Sequence, residues 1–164
     1  ILEAKIFIRK DGIVITSANI EETEKTIAGD LGIWKNLKED LGNIFNGHDN
    51  LTNLLAKRTR YISEKKITAA VTPEISVNNS DDPHYSIIRI EGQDHLGMLY
   101  KISKVFSDFE IRIHSAKIST KGGLGIDVFY VSLQNQKILF EELIHRLKEK
   151  IISAMVIKNP EDLD

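Results

Sequence analysis

Seven consecutive residues, Gln93-Asp94-His95-Leu96-Gly97-Met98-Leu99, gather the side chains of this sequence best suited to binding a small polar molecule. They stand between a β-type run at 85–90 (YSIIRI) and a helical stripe of apolar residues. A helix start offers free backbone N–H groups, which form a cradle for a carboxylate. Gly97 lets the backbone approach closely, and Asp94 supplies a countercharge for an ammonium or a partner for an amide. A free amino acid carries both a carboxylate and an ammonium. A plainer reading stays open beside this one: Asp94 occupies the position of an N-terminal cap and satisfies its own helix.

Catalytic constellations are missing, so no catalytic residue is expected. The His residues stand at 48, 84, 95, 114 and 145, none spaced i, i+4 as a helical metal site requires. His48-Asp49 is the dipeptide of metal-dependent phosphohydrolases, but it lacks the further ligands and reads as a turn. Glu39-Asp40 and Glu141-Glu142 diverge by about 100° on their helices and face solvent. Lys121-Gly122-Gly123-Leu124-Gly125 joins two β runs rather than opening a helix, so it reads as a hairpin turn and not a phosphate loop. No Cys occurs, which excludes disulfides, thiolate zinc sites and Cys nucleophiles.

The elements that must position these residues follow from periodicity. Residues 1–9 and 13–18 are β-type runs around Asp11-Gly12, a hairpin signal. Apolar residues at Ile33, Trp34, Leu37, Leu41, Ile44 and Phe45 recur at helical spacing, closed by Asn46-Gly47. Residues 51–61 read as another short helix carrying Lys57, Arg58 and Arg60, and 75–77 as a strand. The run Asn78-Asn79-Ser80-Asp81-Asp82-Pro83 is the strongest linker signal. Beyond it come a strand (85–90), a helix (97–109), strands (111–120 and 126–132), a helix (137–151) and a last short strand (154–157). That order, β-α-β-β-α-β, is the ferredoxin-like α+β unit, an antiparallel sheet with helices on one face. The strand at 126–132 is apolar on both faces, so a second layer is expected over it.

Ala4-Lys5-Ile6 recurs as Ala116-Lys117-Ile118, each with an Ile three residues earlier. Both copies run into a turn, a β run, an amphipathic helix and a short strand. The first half therefore reads as a second copy entered partway: a partial unit at 1–80 without its first strand and helix, then a complete unit at 84–158 and a tail at 159–164. With 164 residues, a net charge of −2 and a pI near 6.2, nothing points to nucleic acid or an anionic membrane surface. No apolar run reaches the roughly 20 residues that span a bilayer. The start at Ile1, without Met, suggests a piece of a longer chain.

Asp94-His95-Leu96-Gly97-Met98-Leu99-Tyr100, then 113–120 (IHSAKIST) and 127–131 (DVFYV), resemble an ACT domain. More narrowly they are similar to the C-terminal ACT domains of bifunctional PII-protein uridylyltransferase/uridylyl-removing enzymes, whose patterns read D-R-P-G-L-L-Y, I-H-S-A-(K/R)-I-x-T and D-V-F-Y-V. Residues 1–19 resemble the preceding ACT domain of that family and 75–78 its closing strand. His95-Leu96 replaces the usual Arg-Pro, which removes a guanidinium that could meet a carboxylate. The resemblance implies a cytoplasmic, bacterial regulatory fragment that binds glutamine and performs no chemistry itself. It implies a parent enzyme that uses Mg2+ or Mn2+ and acts on the PII signalling protein; the fragment itself would hold no cofactor or metal. The expected ligand site is Asp94, His95, Leu96, Gly97, Met98 and Leu99 with His114 and Ser115, at an interface between ACT units, with a homodimer through these units also possible. The competing expectation is an ACT-type assembly module, or a sensor of another amino acid.

Overall fold

The computed structural model describes residues 2–19, 31–54, 72–95 and 97–155. The chain divides into two compact units, residues 1–19 with 71–164, and residues 20–70.

In the smaller unit, α1 (Leu31–Phe45) forms where helical spacing was expected and ends at Gly47, whose φ of 71° suits glycine. The Gly47 N–H closes the end by donating to the Ile44 carbonyl at 3.1 Å. Asn50 then caps a further helical turn at 51–54, its Oδ1 accepting from the Asn53 N–H at 2.8 Å. The rest of the helix expected over 51–61 lies outside the described residues.

The larger unit is built on one antiparallel sheet of six strands. Along the chain these are β1 (Glu3–Ile8), β2 (Val14–Asn19), β3 (Glu74–Asn78), β4 (Ser86–Gln93), β5 (Ile111–Lys121) and β6 (Leu124–Leu133). Their order across the sheet is β2-β1-β5-β6-β4-β3. Two helices complete it, α2 (Met98–Asp108) and α3 (Glu141–Met155). The α+β, ferredoxin-like expectation holds. Gly122 and Gly123, at φ 60° and 82°, make the two-residue hairpin turn between β5 and β6.

One face of the sheet receives both helices. Its rows read off the register: Ile75, Ile90, Asp127, Ile118 and Ala4 in one, and Val77, Ile88, Phe129, Ala116 and Ile6 in the next. Against them lie Met98, Ile102 and Phe106 of α2 and Leu147, Ile151 and Met155 of α3, all buried. Phe106 meets Phe129 edge to face at 5.2 Å between ring centres. On the opposite face Ile126, Val128 and Tyr130 are half-buried.

The internal repeat pairs with itself. In the β1–β5 ladder Lys5 stands opposite Lys117, Ala4 opposite Ile118 and Ile6 opposite Ala116. An antiparallel ladder centred on equivalent residues has local two-fold symmetry. The symmetry extends one strand further, because Thr16 faces Ile6 from β2 as Asp127 faces Ile118 from β6.

Three expectations are corrected. β3, expected to close the first unit, pairs instead with β4, placing Ile75 beside Ile90 and Val77 beside Ile88. The last strand expected over 154–157 is not formed at its start: α3 continues to Met155, because Leu147, Ile151 and Met155 extend one apolar stripe onto the core, and 156–157 lie outside the described residues. The same helix starts at Glu141 rather than 137. Residues before it are tied elsewhere, with Lys137 Nζ donating to the Asn79 carbonyl at 2.7 Å and the Ile138 N–H to Ser86 Oγ at 2.8 Å.

Replacing Phe106, which is fully buried, with Ala is expected to remove about 3–5 kcal/mol of stability. Urea unfolding followed by circular dichroism measures it; a loss below about 1 kcal/mol would contradict this packing of α2 on β6.

Candidate functional site

The loop between β4 and α2 leaves the sheet at Asp94 and enters the helix through Gly97, at φ 83°. Gly97, not Asp94, holds the N-cap position, and no side chain caps the helix. Asp94 is held from the neighbouring hairpin instead. Its N–H donates to the Gly123 carbonyl at 2.9 Å, and its Oδ2 accepts from Thr120 Oγ1 at 2.9 Å. The expected cap is corrected by this geometry, since the Asp94 carboxylate is engaged by β5 and makes no bond to the helix start. The Met98 N–H donates to the His95 carbonyl at 3.2 Å, which folds the loop back on itself.

Beneath this loop lies Asp127, 1% exposed, in a row otherwise made of Ile75, Ile90, Ile118 and Ala4. Neither of its carboxylate oxygens has a hydrogen-bond partner. Burial pushes its carboxyl up to about 7; the nearby Ser119 backbone N–H opposes that without closing a bond, and the charge of Asp94 adds to it. Next along β6, Gly125 keeps the space narrow enough that a Cβ there would meet Met98 Cε at 3.0 Å and Asp94 Cβ at 3.8 Å. Asp94, Met98 and Gly125 thus share one small region with Asp127. The half-buried His95 also leaves both ring nitrogens buried without a partner.

The expected site residues separate into two places. Asp94, His95, Gly97 and Met98 belong to the loop region just described, and Leu99, half-buried, packs against the core. Leu96 lies outside the described residues. His114 and Ser115 sit about 20 Å of strand away from Thr120 and are not brought to Asp94. His114 is the extra residue of a β-bulge between Ile113 and Ser115. It shares a 2.8 Å hydrogen bond between Nε2 and Ser132 Oγ, and stacks on Tyr85 at 4.3 Å between ring centres. Burial, then the charge of Arg112, lowers its pKa and favours the neutral ring. Ser115 pairs with Phe7 and Tyr130 on the other face of the sheet from Asp127.

Asp127 was absent from the expected set. Its signal was in the alternation of β6: Gly125, Asp127, Phe129 and Val131 share the inward face, and a carboxylate among them is the one polar side chain in that series. Among the described residues no three His, Asp or Glu side chains are grouped as a metal ion would require. No described helix is long and apolar enough to cross a membrane.

A strand that ends in a glycine-bearing loop, a helix start without a side-chain cap and buried polar groups without partners make the β–α junction of this ferredoxin-like domain its candidate site. The profile of the ACR9-like, ACT-like domain matches residues 74–159, and the chain belongs to this ACT-like family. The matched span begins with β3, the strand that pairs with β4. The chain is also 25% identical over 157 residues to the bifunctional uridylyltransferase/uridylyl-removing enzyme of Azospirillum brasilense. That alignment takes in 94% of this chain but 17% of the relative's length. No solved structure matches the chain.

A buried carboxyl with a raised pKa keeps its proton in the folded state after the unfolded chain has lost it. Stability therefore falls as pH rises from about 4 to about 7, and the penalty is complete above that. The groups around Asp127 are Ile90 and Ile118 from the flanking strands and the charged Asp94 from the loop. D127N is expected to melt about 5 °C above the unsubstituted chain near pH 8, with the gap shrinking near pH 5. Equal gaps in melts at the two pH values would contradict the assignment of that proton to Asp127.

Proposed function

We propose that this chain is a glutamine-sensing module of a PII-protein uridylyltransferase/uridylyl-removing enzyme, and that it controls nitrogen-responsive modification of PII without doing chemistry itself. The observation that carries the proposal is the β4–α2 junction. A carboxylate held in place by Thr120, a helix start with no side-chain cap and a glycine at the close approach offer complementary partners to both ends of an amino acid. The kinship with an enzyme of that name supports the choice of parent protein. Catalysis, the Mg2+ or Mn2+ it uses, and the contact with PII then belong to parts of the parent outside this chain, in the cytoplasm of a bacterium.

The site also lies at a seam. Thr120, which holds Asp94, donates its own N–H to the Leu2 carbonyl at 3.0 Å, so the residue just before β1 in the repeat's first copy meets the candidate site of the second. Ligand contacts made more tightly in one packing of the copies than in another shift the equilibrium between them.

Isothermal titration of glutamine into the chain and into D94A tests the reading. Binding that is weakened about tenfold or more in D94A is expected; equal heats for the two proteins would remove Asp94 from the site.

A second reading, assembly through ACT units, is favoured by β2. It is one of the two edge strands of the described sheet, exposed along its whole length, with Val14 and Ile15 more than half exposed. Sedimentation that shows the same monomer at every concentration would count against that reading.

A further inference from the structure

The described core contains three buried polar side chains, and two of them are satisfied. Ser86 Oγ donates to Asn79 Oδ1 and accepts from the Ile138 N–H, and Ser132 Oγ meets His114 Nε2. Asp127 alone of the three closes no hydrogen bond, although the Ser119 backbone N–H lies nearby. Buried polar groups in folded proteins are nearly always paired, so a side chain left without a partner is a candidate to receive one from a ligand.

We propose that Asp127 is a ligand-binding residue, its carboxylate forming the floor of the β4–α2 site and accepting the ammonium group of a bound amino acid. This rests on the amino-acid-sensing reading above and deepens it. Asp94 stands at the exposed mouth, with Oδ2 engaged by Thr120. Asp127 lies below, with both oxygens buried and without a hydrogen-bond partner. A cation between two carboxylates satisfies three donors at once and relieves the repulsion between the acids. The ligand's carboxylate then falls to the N-terminus of α2, which no side chain caps. An ion held by His95 and the two acids is the competing occupant, but these side chains are not grouped closely enough for metal ligation. The symmetry of the sheet adds an internal comparison. The position equivalent to Asp127 in the first copy is Thr16, which is exposed and uncharged, so the carboxylate is not a requirement of this strand pairing.

The test is a set of titrations on the whole 164-residue chain with glutamine and with 4-carbamoylbutanoate, which is glutamine without its amino group. The proteins are the unsubstituted chain, D127N and D127L, the last of which completes the apolar row if the amide is poorly tolerated. Glutamine affinity at least about tenfold lower in both variants is expected, while the deaminated analogue binds weakly and alike to all three. Another amino acid showing this same pattern would support Asp127 and replace glutamine as the effector. Glutamine bound within about twofold by all three proteins would overturn the role of Asp127 and leave the sensing reading standing. Equal losses for glutamine and the analogue would also overturn it, because they would mark a structural effect. If the unsubstituted chain binds none of the common amino acids, both readings fall.

Discussion

A strand inside a sheet needs a partner on each side for its N–H and C=O groups, and β5 has β6 on one side and β1 on the other. The β1–β5 ladder is the contact on which the larger unit depends. It joins residues 3–7 to residues 115–119 in one sheet and lets Ala4 and Ile6 extend the apolar rows that the helices cover. It also sets two lysines, Lys5 and Lys117, opposite each other, an unfavourable pair on its own. Lys5 is partly compensated by Glu3 at 3.7 Å. The pairing prevails because backbone bonds and the inward Ala and Ile residues act along its whole length, while the two ammonium groups face the open side, where solvent screens them.

The same register fixes the position of Asp127. Once Ile118 is opposite Ala4, alternation sends Asp127 inward beside Ile118 and Ile90. A slip of one residue would turn Asp127 to the open face but would also bring Phe129 and Val131 out of the core. Burial of those two outweighs the desolvation of one carboxyl, particularly when that carboxyl can hold a proton near neutral pH. The core therefore tolerates Asp127 without pairing it, and the cost is confined to a spot beneath a loop.

Much of this fold was legible in the residues. The Asp11-Gly12 and Gly122-Gly123 turns, the stripe at Met98, Ile102 and Phe106, and the repeated Ala-Lys-Ile each encode a local geometry that the sheet preserves. The partner of a short strand is different. Ile75 and Val77 show that β3 has an inward face, but the choice of β4 rests on rows that complete only in three dimensions. The site was legible by half. The loop was visible in Asp94 and Gly97, whereas His114 drew attention by its chemistry and proved to be the odd residue of a bulge, facing Ser132 and Tyr85. Asp127 was hidden inside a run read as apolar on both faces, because hydrophobic neighbours on one strand obscure a single inward acid.

The two copies of the repeat differ in a way that bears on the proposed sensing role. Both place an Ile of the Ala-Lys-Ile string beside an inward position on the adjoining strand, yet one copy fills it with Thr16 and the other with Asp127. Two equivalent sites would let a ligand act alike on both halves of the sheet. On the proposed reading, a floor acid in one copy alone makes the halves unequal, and the ligand would favour the packing in which Leu2, just before β1, bonds Thr120 beside Asp94. The size of such a response is limited by the difference in affinity between packings. An unpaired buried acid enlarges that difference, because it raises the energy of the empty site while its pairing lowers that of the filled one. The same carboxylate that weakens the free fold is, on this reading, what gives the ligand leverage over it.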